Sequence, residues 1–431
     1  MWKRYLSDHR VGEKAGGTKE GMTATGRSEF HRDYDRIIFS SAFRRLSDKT
    51  QVVPLPRSDY TRQRLTHSLE VSCVGRSLAT LVYEQIDSDA RQQVAQGDFE
   101  AIVAAACLAH DIGNPPFGHF GEKAIQDWAK NLQQAGRFEG LTEAEQADLV
   151  RFEGNAQSFR VLTRLQMGGR WGGMKLTGAT LGALMKYPCG SSEVSRLGYK
   201  KHGYYQDDKV LFQEVCEVTG MKQTSSGHVV RHPLAYLSEA ADDICYAIID
   251  LEDGCRAGLV KEESALSTFE SLAEGCTGSS SMPLADRLSM GRAIAINQLV
   301  TQSAAVFSDH RKEILEGSFQ GSLVGHCASA AAYETAKTVA VKEYFNSEIV
   351  LAMEATGYRA IQGLLELLST ALTVKEQSSF DQHVLKLMKV ERQEATSLYE
   401  KLLKSTDSIS SLTDRHTIQL YRTLTGHALP S

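Results

Sequence analysis

The 431-residue chain is long enough to bury a large core and to form one to three domains. Its hydrophobic content of 42% and charged content of 23% are typical of globular proteins, and a formal net charge of −5 gives no bulk attraction for nucleic acid. The eight cysteines are scattered without a CxxC pair, so we expect reduced, buried thiols. No apolar run follows the first residues or approaches the ~20 residues of a membrane span, so we expect no signal peptide and a cytoplasmic location.

The first elements follow from apolar spacing. Many alanines and leucines, eight prolines and few alternating Val/Thr-rich runs favour an all-α fold. Polar, glycine-rich residues 6–30 predict a mobile or partner-ordered segment within an N-terminal arm at residues 1–30. Helical spacing then predicts a helix near residues 33–46 with a basic flank. After a loop or extended segment at 51–56, a second amphipathic helix is expected at about 65–86.

The most distinctive stretch is residues 110–122, which read HDIGNPPFGHFGE. They follow an alanine-rich apolar run, residues 101–109, that predicts a buried helix. Two good metal ligands, His110 and Asp111, therefore arrive together where that helix stops. The helix ends there because proline cannot continue it and pushes the preceding residue out of helical space.

The same turn delivers a second histidine and an acid. The three-residue spacing of His119 and Glu122 lets the carboxylate orient and charge-stabilise the imidazole, which is how a histidine is tuned for proton transfer. A helix is predicted at 123–134 after them. Thr142 with Glu145 then resembles a capping box, and residues 143–166 are predicted to form one helix.

The composition changes at residue 167. Nine glycines fall between residues 168 and 203, interleaved with aromatic and basic residues. Residues 167–232 are therefore interpreted as loops over a substrate pocket. The alternative is a glycine-rich surface insertion, and composition alone does not separate the two.

Order resumes with a helix that begins at Pro233 and continues to about Asp253. Asp242, Tyr246 and Asp250 are four residues apart and line one face of that helix. Acids in the middle of such an apolar helix are costly unless they are paired or bind a cation.

The C-terminal part follows a linker at residues 274–285. We therefore divide the chain into the N-terminal arm, a catalytic core at residues 31–273 and a helical region at residues 274–431. Amphipathic spacing predicts the longer C-terminal helices at residues 284–307, 329–345 and 347–372.

The candidate metal ligands are His67, His110, Asp111 and one of the acids near Asp242. Imidazole and carboxylate suit Mn, Fe or Mg better than structural zinc. Four such ligands leave positions for water and a phosphate oxygen, as attack on phosphorus requires. Taken singly, each residue has an ordinary interpretation: a surface histidine, a turn-capping aspartate, or an aspartate in a structural ion pair.

Together, the residues resemble the H…HD…D signature of HD-domain phosphohydrolases, and more closely the bacterial dGTP triphosphohydrolase (dGTPase-like) family. The similarity covers about residues 27–260 and is weaker in the C-terminal helices. The stretches that carry it are RLTHSLEV at 64–71, HDIGNPPFGH at 110–119, FEGNAQ at 152–157 and EAADDI at 239–244.

This resemblance implies a helical enzyme that hydrolyses dGTP, or dNTPs more broadly, to deoxynucleoside and tripolyphosphate by attack at the α-phosphorus. The family pattern selects Asp242 rather than Asp243, a choice that helix geometry leaves open. It implies a divalent metal ion, Mn or Mg, with Fe, Co or Ni as alternatives, and the catalytic pair His119 and Glu122. The implied metal ligands are His67, His110, Asp111 and Asp242.

The resemblance also assigns substrate contacts. Several residues would contact the phosphates and the sugar. Tyr246 would lie under the deoxyribose and exclude a 2′-hydroxyl, and Asp250 would accept from the 3′-hydroxyl. The implied residues are Gln51, Arg64, Asn114, Asn155, Lys186, Tyr187, Tyr246 and Asp250.

Partners follow from the same resemblance. It implies a homo-oligomer, a hexamer or tetramer, in which Arg359 is a candidate to reach a neighbour's site, or else a solvated helix arginine. It leaves open a dNTP effector and single-stranded DNA binding. The alternative functions are an HD nucleotidase or phosphodiesterase on other nucleotides, and a nucleotide-sensing or single-stranded-DNA-binding protein with a weak site.

Overall fold

The computed structural model describes residues 2–13, 27–51, 62–167, 172–224, 227–392 and 395–427. Within these ranges every regular element is a helix and β pairing is confined to isolated bridges, so the predicted all-α fold is confirmed. Most of the loop predicted at 51–56 lies outside the described ranges. No helix in the described part of the chain combines the length and apolarity that crossing a membrane requires.

The helices are numbered in chain order. Those of the first half are α1 (Trp2–Tyr5), α2 (Glu29–Ile38), α3 (Ser41–Arg45), α4 (Arg64–Tyr83), α5 (Ser88–Arg91), α6 (Gln96–Ala109), α7 (Gly118–Gln134), α8 (Glu143–Val150), α9 (Gly154–Arg160), α10 (Gly178–Leu184), α11 (Val194–Leu197) and α12 (Lys209–Thr219). Those of the second half are α13 (Pro233–Arg256), α14 (Glu262–Leu272), α15 (Leu284–Asp309), α16 (Arg311–Glu316), α17 (Ala330–Val339), α18 (Glu348–Thr373), α19 (Ser379–Leu387), α20 (Leu398–Ser410) and α21 (Asp414–Leu424).

Helices α4, α6 and α13 form the centre of the core. The alanine-rich residues 101–109 of α6 are all buried, as predicted, because small side chains let both neighbouring helices approach closely. Helix α13 begins as expected with Pro233 in its first turn, and the His232 side chain caps it by accepting from the Leu234 N–H at 3.2 Å. The three helices converge where α6 ends.

A second apolar cluster packs α7 against α18, α20 and α21. Trp128 of α7 and Leu364 and Leu368 of α18 are among its buried members. The C-terminal helices therefore pack directly on the helix that follows the HDIGNPP turn. The division of the chain into an arm, a core and a C-terminal region remains a prediction.

Three helix predictions are wrong. The helix predicted near residues 33–46 is two helices, α2 and α3, with Ser40 between them capping α3. Residues 143–166 are not one helix, because α8 ends at Val150 and α9 begins at Gly154, with a π-helical turn at Val161–Leu165. Glu153 between them is extended, and its side chain caps α9. Helix α7 also begins at Gly118 rather than at residue 123, so the predicted histidine–glutamate pair lies on its first turns.

The expectation of a mobile arm is wrong for residues 6–13. Helix α1 and the residues after it pack on the core, with Trp2, Tyr5 and Leu6 buried. The Arg10 guanidinium donates to Asp33 at 3.0 Å, which fixes this segment against α2. The N-terminal segment therefore belongs to the folded body.

Candidate active site

Four side chains from three helices meet at the end of α6. Ligand atoms of His67, His110 and Asp111 all lie within 4.8 Å of one another. From α13, Asp242 Oδ1 lies 3.3 Å from His67 Nε2 and 3.4 Å from His110 Nε2. Asp243 faces away from the histidines, with its Oδ1 3.8 Å from Lys186 Nζ. The geometry thus groups the residues that the family pattern selects.

The charges of this group suit a bound cation. Burial lowers the pKa of His110, but Asp111 and Asp242 outweigh it and raise that pKa to about 9. Burial raises the pKa of Asp111, yet Arg64, His110 and His67 lower it to about 2. The ionised carboxylates therefore stabilise positive charge on His110, and a divalent ion can supply that positive charge instead.

His110 is oriented for ligation. Its Nδ1 lies 2.7 Å from the carbonyl oxygen of Cys107, to which it donates. That bond leaves Nε2, which is buried and makes no hydrogen bond to a described residue, pointing at the carboxylates. Holding one ring nitrogen by a backbone carbonyl is the usual support for a metal-binding histidine. The residues present therefore fit a divalent ion of the Mn or Mg type.

Two predicted substrate residues hold Asp111 in place. The Arg64 guanidinium donates to Asp111 Oδ2, and Asn114 Nδ2 donates to Asp111 Oδ1 at 2.5 Å. Arg64 is 6% exposed, so its charge is committed to this pair. In this structure Arg64 orients a candidate metal ligand through one nitrogen, while its buried Nε bonds to no described residue, and its phosphate contact stays a prediction.

The predicted catalytic pair lies beside the metal group. His119 Nδ1 is 3.4 Å from Glu122 Oε2, and the His119 side chain is 73% exposed whereas Glu122 is buried. The Gly154 N–H donates to Glu122 Oε1 at 2.8 Å, and a Cβ at this position would lie 2.7 Å from that oxygen and would displace it. Burial raises the pKa of Glu122, but His119, Lys201 and this amide lower it overall. An ionised Glu122 can orient His119 for proton transfer.

One cavity of about 240 Å³ joins most of the predicted site. A larger cavity of about 440 Å³, between α7 and α18, is lined by none of the predicted site residues. The predicted residues that line the smaller cavity are His110, Asp111, Asn114, His119, Asn155, Lys186, Tyr187, Asp242 and Tyr246.

The glycine-rich region is not formed of loops alone, because it contains α10, α11 and α12, but it does supply one wall of this cavity. Lys186 Nζ lies 3.4 Å from Glu239, and Lys201 Nζ lies 3.0 Å from Glu153. Asn155 Nδ2 donates to the same Glu153 oxygen at 2.7 Å. These cations are balanced by carboxylates that an anionic ligand can replace. The pocket interpretation of the glycine-rich region is therefore favoured over a surface insertion.

Three further predicted residues are Tyr246, which lines the cavity, and Asp250 and Gln51, which are not among its lining residues. The Tyr246 ring stacks on Phe345, with ring centroids 5.8 Å apart. One turn further along α13, Asp250 is 1% exposed, its Oδ2 bonds to no described residue, and burial raises its pKa. Gln51 Oε1 is likewise buried without a described partner. Buried polar atoms without partners are consistent with a ligand that would satisfy them.

Sequence reasoning missed several residues around the site. Lys201 had a signal in the aromatic and basic interleaving of residues 199–205, but Glu153 had none because it was assigned to a helix interior. Asp414, at the start of α21, accepts from the N–H of Phe117, which directly follows the HDIGNPP stretch and is nearly 300 residues away in sequence. No local sequence pattern predicts this contact. Arg359 is exposed on α18 and lines neither described cavity.

Known proteins share this arrangement of motifs. A family model for the HD domain matches residues 64–161. A Deoxyguanosinetriphosphate triphosphohydrolase-like protein of Pseudomonas aeruginosa (strain LESB58) is 39% identical over 450 residues, covering 100% of both chains. Its namesake in Synechocystis sp. is 39% identical over 444 residues, covering 99% of this chain and 100% of the relative.

A relative named without the qualifier is also similar. The Deoxyguanosinetriphosphate triphosphohydrolase of Yersinia pestis (strain Pestoides F) is 33% identical over 434 residues, covering 87% of this chain and 83% of the relative. These similarities extend through the C-terminal helices and confirm the family resemblance of the motifs. The chain belongs to the deoxyguanosinetriphosphate triphosphohydrolase-like family of HD-domain phosphohydrolases.

Proposed function

We propose that the protein hydrolyses deoxynucleoside triphosphates, dGTP or a broader set, to deoxynucleoside and tripolyphosphate in the cytoplasm. The observation that carries the proposal is that His119, paired with Glu122, opens into the same cavity as His110, Asp111 and Asp242. A proton-transfer group and a divalent-cation site in one cavity are what attack on a phosphorus centre requires. The names of the relatives support the triphosphate as substrate.

The metal would be held by His67, His110, Asp111 and Asp242, whose donors favour Mn or Mg, with Fe, Co or Ni as alternatives. When bound, such an ion polarises a phosphoryl oxygen and lowers the pKa of water beside it.

The chain's own residues divide the remaining work. His119 transfers a proton at the α-phosphate, and Glu122 keeps its ring oriented. Lys186 and Lys201 exchange their carboxylate partners for phosphate oxygens, with Tyr187, Asn114 and Asn155 lining the same cavity.

Sugar selection falls to α13 and the segment before α4. Tyr246 would lie under the deoxyribose and exclude a 2′-hydroxyl by its bulk, and the buried carboxyl of Asp250 would take the 3′-hydroxyl. Gln51, with an unsatisfied buried oxygen, is proposed near the sugar and base. A ribonucleotide should accordingly be a poor substrate.

We also propose a homo-oligomer, hexamer or tetramer, on the basis of the family resemblance, with Arg359 as the candidate residue to reach a neighbouring site. Arg359 is exposed on α18, where a neighbour can be contacted. A dNTP effector and single-stranded DNA are proposed partners with no structural feature that selects them.

The test is a product analysis with Mn²⁺ and each dNTP, singly and in pairs, resolved by ion-exchange chromatography. We expect deoxynucleoside and tripolyphosphate, with little turnover of GTP. His119→Gln should lower kcat by about 10²- to 10⁴-fold. Its Mn²⁺ affinity should be unchanged, because His119 is outside the four-residue metal group.

Exposed His383→Gln on α19 is the matched control and should behave as the wild type. Release of pyrophosphate, or no hydrolysis of any dNTP or dNTP pair, contradicts the proposed reaction. Unchanged turnover by His119→Gln contradicts the catalytic pair alone.

A further inference from the structure

The turn that presents the catalytic pair has an unfavourable backbone. Phe117, the residue before α7, has φ +60° and ψ +21°. This is a left-handed backbone conformation that residues other than glycine rarely adopt, and Gly118 follows with φ +56°. Such residues persist only where their surroundings hold them. Because His119 and Glu122 lie on the next turns of the helix, the backbone at Phe117 sets where both side chains start.

Two C-terminal helices hold Phe117 in place. The Phe117 N–H donates to Asp414 Oδ1 of α21 at 2.9 Å, in a buried contact. Its ring lies against Gly357 of α18, where a Cβ would be only 2.3 Å from the ring. One contact fixes the amide and the other fixes the ring, so the left-handed conformation is determined from both sides.

Asp414 itself is held rigidly. Its Oδ2 accepts from the Thr50 N–H at 3.0 Å and from the Thr50 hydroxyl, and the carboxyl is 1% exposed. Beside it, Lys49 Nζ donates to the carbonyl oxygens of Ser410, at 2.7 Å, and Asn114. Asp414 therefore binds the Phe117 end of the Asn114–Phe117 turn, and Lys49 links the Asn114 end to the last residue of α20.

The neighbouring helix α20 supports the other side of the pair. Asp407 accepts from Gln157 Nε2 and from Arg160 Nε, each at 2.9 Å. Both donors lie on α9, whose first residue gives its N–H to Glu122. Helix α21 thus contacts the turn before α7, and helix α20 contacts α9. The catalytic pair lies between these two segments.

We propose that Asp414 is a positioning residue for the reaction. By binding the Phe117 amide, it holds the first turn of α7 so that His119 and Glu122 face the metal group. The kinetic part of this inference rests on the proposed function, whereas the structural part does not. Through Asp414, the C-terminal region becomes part of what makes the site competent.

The test compares Asp414→Ala, which removes the acceptor, with Asp414→Asn, which keeps an amide oxygen for the Phe117 N–H. We expect Asp414→Ala to lower kcat by about 10- to 100-fold, as small misplacements of catalytic groups do, with little change in KM or Mn²⁺ affinity. Asp414→Asn should recover part of that loss. Hydrogen exchange measured by mass spectrometry should be faster at the Phe117 amide in Asp414→Ala.

Two further variants complete the design. Asp381→Ala removes a first-turn carboxylate of α19 whose hydrogen-bond donor among the described residues is Ser378, and it should leave kcat unchanged. Gly357→Ala presses on the Phe117 ring without touching Asp414 and should lower kcat as well. It serves as the test if Asp414→Ala fails to fold.

Slow exchange at Phe117 together with wild-type kcat in Asp414→Ala overturns the inference. So does a fall in kcat matched by an equal fall in Mn²⁺ affinity, since the effect would then run through the metal ligands. If the wild type hydrolyses no dNTP, the proposed function fails, and exchange at Phe117 still decides the positioning role.

Discussion

At the scale of single residues, the site depends on which of two adjacent aspartates faces the histidines. Asp242 is within 3.4 Å of both His67 Nε2 and His110 Nε2, whereas Asp243 is directed to Lys186. Helical periodicity could not choose between them, because adjacent positions differ by ~100° around a helix axis and the partners of each were unknown. The choice of Asp242 depends on tertiary contacts, and at the level of sequence only the family pattern could predict it.

The adjacent pair provides an internal control for metal binding. We expect Asp242→Asn to weaken Mn²⁺ binding by about 100-fold or more, because it removes a candidate ligand, and loss of a residue that merely hydrogen-bonds to a ligand already costs about 10- to 100-fold. Asp243→Asn should leave Mn²⁺ affinity nearly unchanged and alter KM for the dNTP, since its neighbour is Lys186. Calorimetric titration with Mn²⁺ measures both. Equal losses, or the reverse order, would refute the assignment of Asp242.

At the scale of elements, the sequence predicted the long helices well. Helices α13 and α18 lie within a few residues of their predicted bounds because their apolar residues recur at helical spacing, whereas α6, predicted from its alanine-rich run at 101–109, begins earlier, at Gln96. The break between α8 and α9 was not predictable by that signal. Glu153 is an uncommon N-cap residue, and the Gly154 N–H at the break donates to Glu122, a contact between segments about 30 residues apart.

The site divides in the same way. The HDIGNPP stretch could be recognised from the sequence because metal ligands, prolines and glycines are concentrated in one turn. The supports of that turn, Lys49, Asp407 and Asp414, come from distant segments, and each would be an ordinary surface residue by pattern alone. Only the packing of α20 and α21 against α7 and α9 reveals them.

His232, at the start of α13, leads to a prediction about how stability depends on pH. Burial lowers the pKa of His232 to about 4, against a small raising effect of the Tyr5 carbonyl, with His232 Nε2 2.8 Å from that oxygen. Since the folded-state pKa lies below the ordinary value of about 6.5, the unfolded chain takes up the proton first. The contribution to stability is complete above pH 6.5 and is lost as the pH falls toward 4. Acidification from pH 7.5 to 5 should cost about 2 kcal/mol at this residue.

The variant His232→Asn retains a side-chain acceptor for the start of α13 but no titrating group. It should therefore lose less stability than the wild type between pH 7.5 and pH 5, although its free energy of unfolding at pH 7.5 should be lower. Urea unfolding followed by circular dichroism at both pH values gives the comparison. The exposed residue change His383→Asn is the control and should follow the wild type. Identical pH dependence in His232→Asn and the wild type would contradict a buried neutral imidazole.

At the scale of the whole molecule, α18 has two different faces. One packs on α7 through buried residues such as Ile361 and Leu364. The other exposes Ile349, Ala352, Thr356 and Arg359, at spacings of three and four residues that align them along one side of the helix. Ile349 is 52% exposed, an apolar residue at the end of a stripe that reaches the arginine proposed to act in a neighbouring site.

We expect this stripe to contribute to the proposed homo-oligomer interface, because Ile349 is a large exposed apolar residue with the small Ala352 beside it, and exposed apolar surface favours self-association. Ile349→Asp combined with Ala352→Asp should reduce the mass measured by size-exclusion chromatography with light scattering, since burying two carboxylates opposes association. Leu387→Asp, at a 48% exposed apolar residue of α19, is the control and should leave the mass unchanged. Arg359→Ala should keep the mass and raise KM if it completes a neighbour's site. A monomeric wild type, or an unchanged mass in the double variant, would refute this interface.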